Sequence, residues 1–584
     1  MSTQISRSGP EPAAAAPEGF VAGLYAGRFH WDVIAPFPEQ DPADRRAGDD
    51  VLADFRQLLR ERVDPHAVDE SGRLPDGLLA ALRAGGYLGL RGDPALGGLG
   101  LSLANAFRVV ETAAGWSTPV AWCLAIQNGL GAGAYLPLLP AGPLRELVER
   151  RVAEGAVLAD ADSEPTGAAS VLRRTTATAT DDGAAYVIDG EKVFIGNGAI
   201  ADLVMVSATV REDGREEVRS FFLDARTPGF RVSSHHEFMG LRGTPISALT
   251  LDRVRVPREQ MLVLTGELEV AVGILGHQAR LLITSAPALA FGRLCAHWSR
   301  QFVNRREIDG RPLGSYDEIR RVVAATLADT FAIESVIEWC LLGESREAAS
   351  DLRLAQRAAK NISAVTCGRV LDRTVALLGG EGFETARSKA ARGAPPLPLE
   401  RLVRDGRGLR VAGGVEFLLD KWIGEGELLP RPGREVGPRG DGGDAPEPDE
   451  PALSERNRAH LRFVAAQVRA LPGACREVAG PGEPAPRDRV PILLNRIASE
   501  LFTMSATLAR AAGLAAGGRP EVQDLADVYC ASARHRLADW WRQLRERDEP
   551  DYARAAEAWL RDRSPDLALR HVIADVPPVT GRPG

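Results

Sequence analysis

Residues 186–208, "YVIDGEKVFIGNGAIADLVMVSA", decide the fold of this chain. Aromatic and β-branched residues alternate there with polar ones, and the turn pairs Asp189-Gly190 and Asn197-Gly198 punctuate the run. That pattern belongs to antiparallel strands joined by tight turns. It continues outward through "VLADADSE", "TTATATDDGA", "VRSFFLDA", "FRVSSHH" and "ISALTLDRVRVP". The expectation is a β-domain over residues 156–265, an antiparallel barrel or sandwich inserted into a mostly helical chain.

The flanks read as helix. "VLADFRQLLRERV" places Val51, Leu52, Phe55, Leu58 and Leu59 on one stripe, and glycine-broken helices follow, giving an N-terminal helical domain over residues 51–155. A second helical domain is expected over 266–430. The Gly, Pro and acidic stretch 431–452 reads as a linker, and a C-terminal helical domain spans 453–570. Residues 1–50, rich in Pro and Ala, have no sustained period and read as an arm, flexible or wrapping, and 571–584 as a tail.

Composition narrows the function. A net charge of -8 argues against a nucleic-acid partner, which calls for a basic surface. The six cysteines show no paired spacing, as buried thiols in a reducing compartment would, and the N-terminus lacks the pattern of a secretory leader. No apolar run is long enough to span a bilayer, so a cytoplasmic protein is expected. His235-His236 has no third ligand at metal spacing and reads as a strand-end pair, so no metal site is expected. "GRGLRVAGG" lacks the Lys-Ser/Thr of a phosphate loop. In the segment 490–512, Leu494, Ile497, Leu501, Met504 and Leu508 share a stripe whose only cations are Arg496 and Arg510. Packing within its own subunit is expected rather than contact with a membrane surface.

Helices, a β-domain and more helices, in that order, resemble the acyl-CoA dehydrogenase superfamily. "LRAGGYLGLRGDPALGGLGL" is similar to the family's N-terminal helix and GGxGL turn. Residues 186–208 look like its Y-x-x-x-G-x-K-x-x-I-T-N-x-x-x-A-D hairpin, and "MGLRGTPISALTLDRVRVPREQML", "RREIDGRPLG", "ALLGGEGF" and "LERLVRDGRG" follow at the expected places. The resemblance covers residues 52–425, and the C-terminal block resembles the extension of the very-long-chain branch. It implies FAD, an acyl thioester substrate carried by CoA or a carrier protein, and a homodimer or a mixed oligomer with a related subunit. The expected chemistry is removal of an α-proton by a glutamate and of a β-hydride by the flavin.

Carried over residue by residue, the pattern is incomplete. The family glutamate falls eight residues after Asp405, at Gly413, followed by Gly414 and Val415. The alternative family position lies beside an arginine matched by Arg280, whose neighbours are Ala279 and Leu281. Arg280 is assigned to the substrate side, with a structural ion pair as the other reading. Glu416, one turn beyond Gly413, is the candidate replacement base, with a helix-start carboxylate favoured by the dipole as its other reading; Glu381 is a weaker candidate. On the cofactor side, "SEPTGAAS" retains Ser163 but lacks the family's G-S-D, Phe194 stands for a tryptophan and Gly196 for a threonine. Arg306 retains an arginine, Asp309 replaces an aromatic, and Ala376 replaces a glutamine before Gly379-Gly380. The scaffold residues Gly190, Lys192, Asn197, Asp202, Pro257, Glu400, Arg404 and Asp405 are all present. Two functions follow: a flavoenzyme with a displaced base, or a flavin-poor relative serving as a partner subunit or in redox-neutral thioester chemistry.

Overall fold

The computed structural model of the chain describes residues 19–167, 170–212, 214–343, 349–428, 448–478, 488–545 and 552–561. Most of the expected linker and all of the expected tail lie outside these residues. Eight strands form one sheet: β1 (Leu158–Ala161), β2 (Thr176–Ala179), β3 (Ala185–Ile195), β4 (Leu203–Glu212), β5 (Arg215–Asp224), β6 (Phe230–His235), β7 (Ser247–Pro257) and β8 (Met261–Leu262). Their order is β6-β7-β3-β2-β4-β5-β8, with β1 also on β4.

The sheet is mixed, which corrects the antiparallel expectation, and pairing among the described residues does not close it into a barrel. β1 and β2 both run parallel to β4, Leu158 facing Leu203 and Thr176 facing Thr209. Alternation in sequence reports which residues face the core, not the direction of the neighbouring strand, so this could not be read in advance. β1 and β2 thus occupy successive lengths of one edge of β4, and the chain leaves the sheet between them.

Helices pack on both sequence flanks of the sheet. Pro42–Arg62 starts earlier than its apolar stripe, because Asp41 caps it by accepting from the Ala43 and Asp44 N–H groups and Pro42 fits the first turn. Leu52, Phe55 and Leu59 of the expected stripe are buried. Within the stretch expected as an arm, Phe20–Tyr25 is helical, and Phe20 packs edge-on to Trp339 with centroids 6.3 Å apart. The long helices Ala286–Arg305, Asp317–Leu342, Ala349–Leu378 and Arg489–Ala516 share one apolar core with it. On Arg489–Ala516 the side chains of Leu494, Ile497, Leu501, Met504 and Leu508 are all buried. Among the described residues no helix is long and apolar enough to cross a membrane.

Candidate active site

The site begins where the chain leaves the sheet between β1 and β2. Glu164 is buried in this turn and accepts the N–H groups of Arg174 (2.7 Å) and Thr175 (2.9 Å). The fully buried Lys192 of β3 donates to Glu164 Oε1 at 3.0 Å, to the Asp162 carbonyl and to Ser207 Oγ. The Ser163 carbonyl accepts the Val193 N–H at 3.0 Å. Ser163 is therefore held half-buried beside β3, and no described residue takes up its hydroxyl.

Two residues along, the β3–β7 register slips between Lys192 and Ile195, and the bulge turns Phe194 outward. Phe194 has φ +60°, unusual for a bulky residue, and is 61% exposed. His236 props it: the ring centroids lie 4.9 Å apart, and His236 Nε2 accepts the Phe194 N–H at 3.3 Å. Burial, with a smaller push from His235, holds the His236 imidazole below its ordinary range, which keeps that nitrogen an acceptor. At Gly196 an added Cβ would lie 2.5 Å from Ile126 Cδ1, so Ile126 fills the room a threonine there would need.

Ile126 belongs to helix Thr118–Leu130, whose Gly129 meets Ala279 of helix Glu267–Arg280. One helix width thus separates the hairpin of Phe194 and Gly196 from Arg280. A π-helical turn, Leu281–Ser285, follows Arg280 immediately; such turns often sit at functional sites. Arg280 Nε donates to the Gly413 carbonyl at 3.0 Å, and Lys360 Nζ to the Gly414 carbonyl at 2.7 Å. Burial and the repulsion of Arg280 bring the Lys360 ammonium down to about 8. Gly413 (φ +69°) and Gly414 (φ +108°) are both in conformations that side chains resist. An added Cβ at Gly413 would lie 3.4 Å from Arg280 Cγ, and one at Gly414 2.9 Å from Leu419 Cδ2.

Glu416 opens the next helix, Glu416–Ile423, but both its oxygens accept from one guanidinium, Arg410 Nε and Nη2 at 2.5 Å each. Burial raises the Glu416 carboxyl, and Arg410 more than reverses this, leaving it below its ordinary value. A base needs the opposite shift. Glu416→Gln is expected to leave turnover unchanged while lowering stability by about 1–3 kcal/mol, measured by steady-state kinetics beside denaturant unfolding.

Arg306 stands exposed at the end of helix Ala286–Arg305. It lies 3.7 Å from Glu381, which also pairs with Arg305. Gly379 and Gly380 start the short turn carrying Glu381, so Arg306 and the two glycines are brought together, with a carboxylate among them. Asp309 forms the tip of a two-stranded hairpin with φ +51°, a conformation aspartate adopts more readily than an aromatic residue does. A cavity of about 320 Å³ is lined by Gln127, Asn128, Leu275 and Gln278, among others. A larger one, about 900 Å³, holds none of these residues; its charged lining includes Glu111, Arg293, Glu334 and Arg510.

Family models describe the same order of parts. The acyl-CoA dehydrogenase N-terminal domain matches residues 48–139, the middle domain 159–254 and the C-terminal domain 268–425. A probable acyl-CoA dehydrogenase of Mycobacterium tuberculosis, FadE10, is 31% identical over 412 residues, covering 68% of this chain. The chain belongs to the acyl-CoA dehydrogenase family. The mouse very long-chain specific acyl-CoA dehydrogenase is 25% identical over 71% of the chain. Both matches span 62% of the relative's own length. An acyl-CoA dehydrogenase of Bacillus anthracis, solved with FAD, shares the fold with a TM-score of 0.71 at 18% identity. It covers 94% of this chain and 95% of its own.

Within this acyl-CoA dehydrogenase fold, two site features escaped the sequence reading. His236 was read only as half of a strand-end pair, whereas it sets the aim of Phe194. Asp160 was passed over inside "VLADADSE", although an aspartate two residues after the buried Leu158 falls on the same face of β1. That break in the apolar alternation was the available signal.

Proposed function

We propose that the protein is a flavin-dependent enzyme acting on an acyl thioester, carried by CoA or a carrier protein, whose proton-abstracting carboxylate is not on the loop of Gly413. The observation that carries this reading is the capture of the Gly413 and Gly414 carbonyls by Arg280 and Lys360. The loop is held firmly in place while offering no carboxylate. On this reading Phe194 lies against the flavin ring, and the Ser163 hydroxyl and the Gly196 backbone meet its polar edge. Arg306, Gly379 and Gly380 face the ADP portion. Bound FAD supplies a hydride acceptor. The chain's own residues fix the aromatic face, through His236, and hold a cation, Arg280, at the substrate side.

The reading includes an oligomer, a homodimer or a pairing with a related subunit. In its support, the aromatic side chain of Phe383 is 83% exposed beside Gly379-Gly380. A cytoplasmic location is part of the same reading, and the six buried cysteines, none of them in a disulfide, support it.

A second reading, a flavin-poor partner or redox-neutral thioester enzyme, is favoured by Glu381. Its charge neutralises Arg305 and Arg306 where a pyrophosphate would approach. Absorbance separates the two. The first reading expects a yellow protein with one FAD per chain. A colourless protein that binds no added FAD overturns it in favour of the second.

A further inference from the structure

Asp160 lies on β1 two residues after Leu158 and opposite Met205 of β4. Leu158 and Met205 belong to the same apolar cluster as Tyr135 and Leu275 of helix Glu267–Arg280. Side chains on that face of β1 point at this helix, so Asp160 points there too, one helical turn and a half from Arg280. It is half-buried on an otherwise buried strand.

The other buried carboxylates are held. Asp405 accepts the Leu241 N–H, Glu500 accepts from Tyr529 and Arg536, and Asp329 from Arg369 and Arg373. Glu111 pairs with Arg293. No hydrogen bond or ion pair to a described residue holds Asp160. A carboxylate left unpartnered on an apolar wall costs stability unless something else needs it.

We propose that Asp160 is the proton acceptor for an acyl thioester bound beside Arg280, in the role the family gives to a glutamate at the position of Gly413. The assignment rests on the thioester reading above. In the step, the α-C–H bond of the thioester breaks and its proton bonds to Asp160. The electron pair moves onto the thioester carbonyl oxygen as an enolate, with Arg280 as the nearby positive charge. Return of a proton from the same carboxyl reverses the step, so no oxidant is needed. Burial, then the neighbouring charge of Asp162, pushes the Asp160 carboxyl up to about 7 against the pull of Lys192 and Arg280. The groups facing it are thus Asp162 just past the end of its strand, Lys192 from β3, Arg280 from the helix opposite and Tyr135, whose phenol burial and then the two aspartates push up. A carboxylate so poised is matched to accepting a proton near neutral pH.

The test is exchange of solvent deuterium into the α-carbon of butyryl-CoA and palmitoyl-CoA, read by mass spectrometry on the full-length protein as purified. Wild type is expected to exchange one or both thioesters, with a rate rising with pH through about 7. Asp160→Asn is expected to lose about 100-fold or more of that rate, while Glu416→Gln keeps it. Difference infrared spectroscopy of the two proteins without thioester should show one carboxyl titrating near the same pH, absent from Asp160→Asn. Wild type without exchange, Asp160→Asn exchanging within a few-fold of wild type, or an Asp160 carboxyl titrating in the ordinary carboxylate range would each overturn the assignment. A colourless protein that still exchanges in an Asp160-dependent way supports the assignment and removes only the flavin reading. A yellow protein indifferent to Asp160→Asn does the reverse.

Discussion

Lys192→Met is expected to lower folding stability by about 3–5 kcal/mol. Lys192 and Glu164 form a buried ion pair, their side chains 0% and 2% exposed. Removing the ammonium leaves the carboxylate charged and dry, supported only by the Arg174 and Thr175 N–H groups. The loss should depend on pH with a definite sign. Burial pushes the Glu164 carboxyl up, but those N–H groups and Lys192 bring it down to about 2. A carboxyl lowered on folding contributes its stability above the unfolded value, about 4.3, and loses it as pH falls toward the folded one. The gap between wild type and Lys192→Met should therefore be full at neutral pH and narrow between about 4 and 2, where Glu164 protonates. Denaturant midpoints across that range check it; a gap independent of pH would mean that Glu164 is not the partner that matters. Because the pair closes the turn carrying Ser163, the variant should also weaken whatever binds there.

Asp420→Ala is expected to cost a similar amount, about 3–5 kcal/mol. The buried Asp420 carboxylate joins three helices: it accepts from Asn361 and Asn495 at 2.9 Å each and from Arg496 at 3.1 Å. Burial raises its carboxyl, and the three donors only partly offset this. Asn361 Nδ2 also donates to the Glu416 carbonyl at 2.8 Å, so the same amide fixes the start of helix Glu416–Ile423. Removing Asp420 leaves two amides and a guanidinium without their acceptor and unties the C-terminal helices from the loop of Gly413. Amide hydrogen exchange should rise selectively over residues 411–424. Loss of stability without faster exchange there would show that the loop is anchored by Arg280 and Lys360 alone.

The sequence showed the order of parts because each carries a strong local period. The strands alternate, the helices keep apolar stripes, and turn pairs mark the hairpins. Strand direction was not legible: β1 and β2 lie parallel to β4 through contacts that no local pattern encodes. That position 413, eight residues after Asp405, carries a glycine was legible by counting. The state of Glu416 was not, because its pairing with Arg410 depends on how the chain turns through the two glycines. Asp160 shows the same limit. Its parity on β1 was readable, but its lack of a hydrogen-bond or ion-pair partner among the described residues depends on the surrounding elements, which do hold Glu164, Asp405 and Asp420.

The geometry of Gly413 and Gly414 also bears on engineering the loop. A glutamate placed at position 413 would have to enter a left-handed backbone at +69°, with its Cβ in contact with Arg280 Cγ. A side chain at position 414 would in addition crowd Leu419 at 2.9 Å. Arg280 and Lys360 hold the two carbonyls, so the loop resists the backbone change that would make room. Fitting a carboxylate here is a matter of remodelling the backbone rather than of a single substitution.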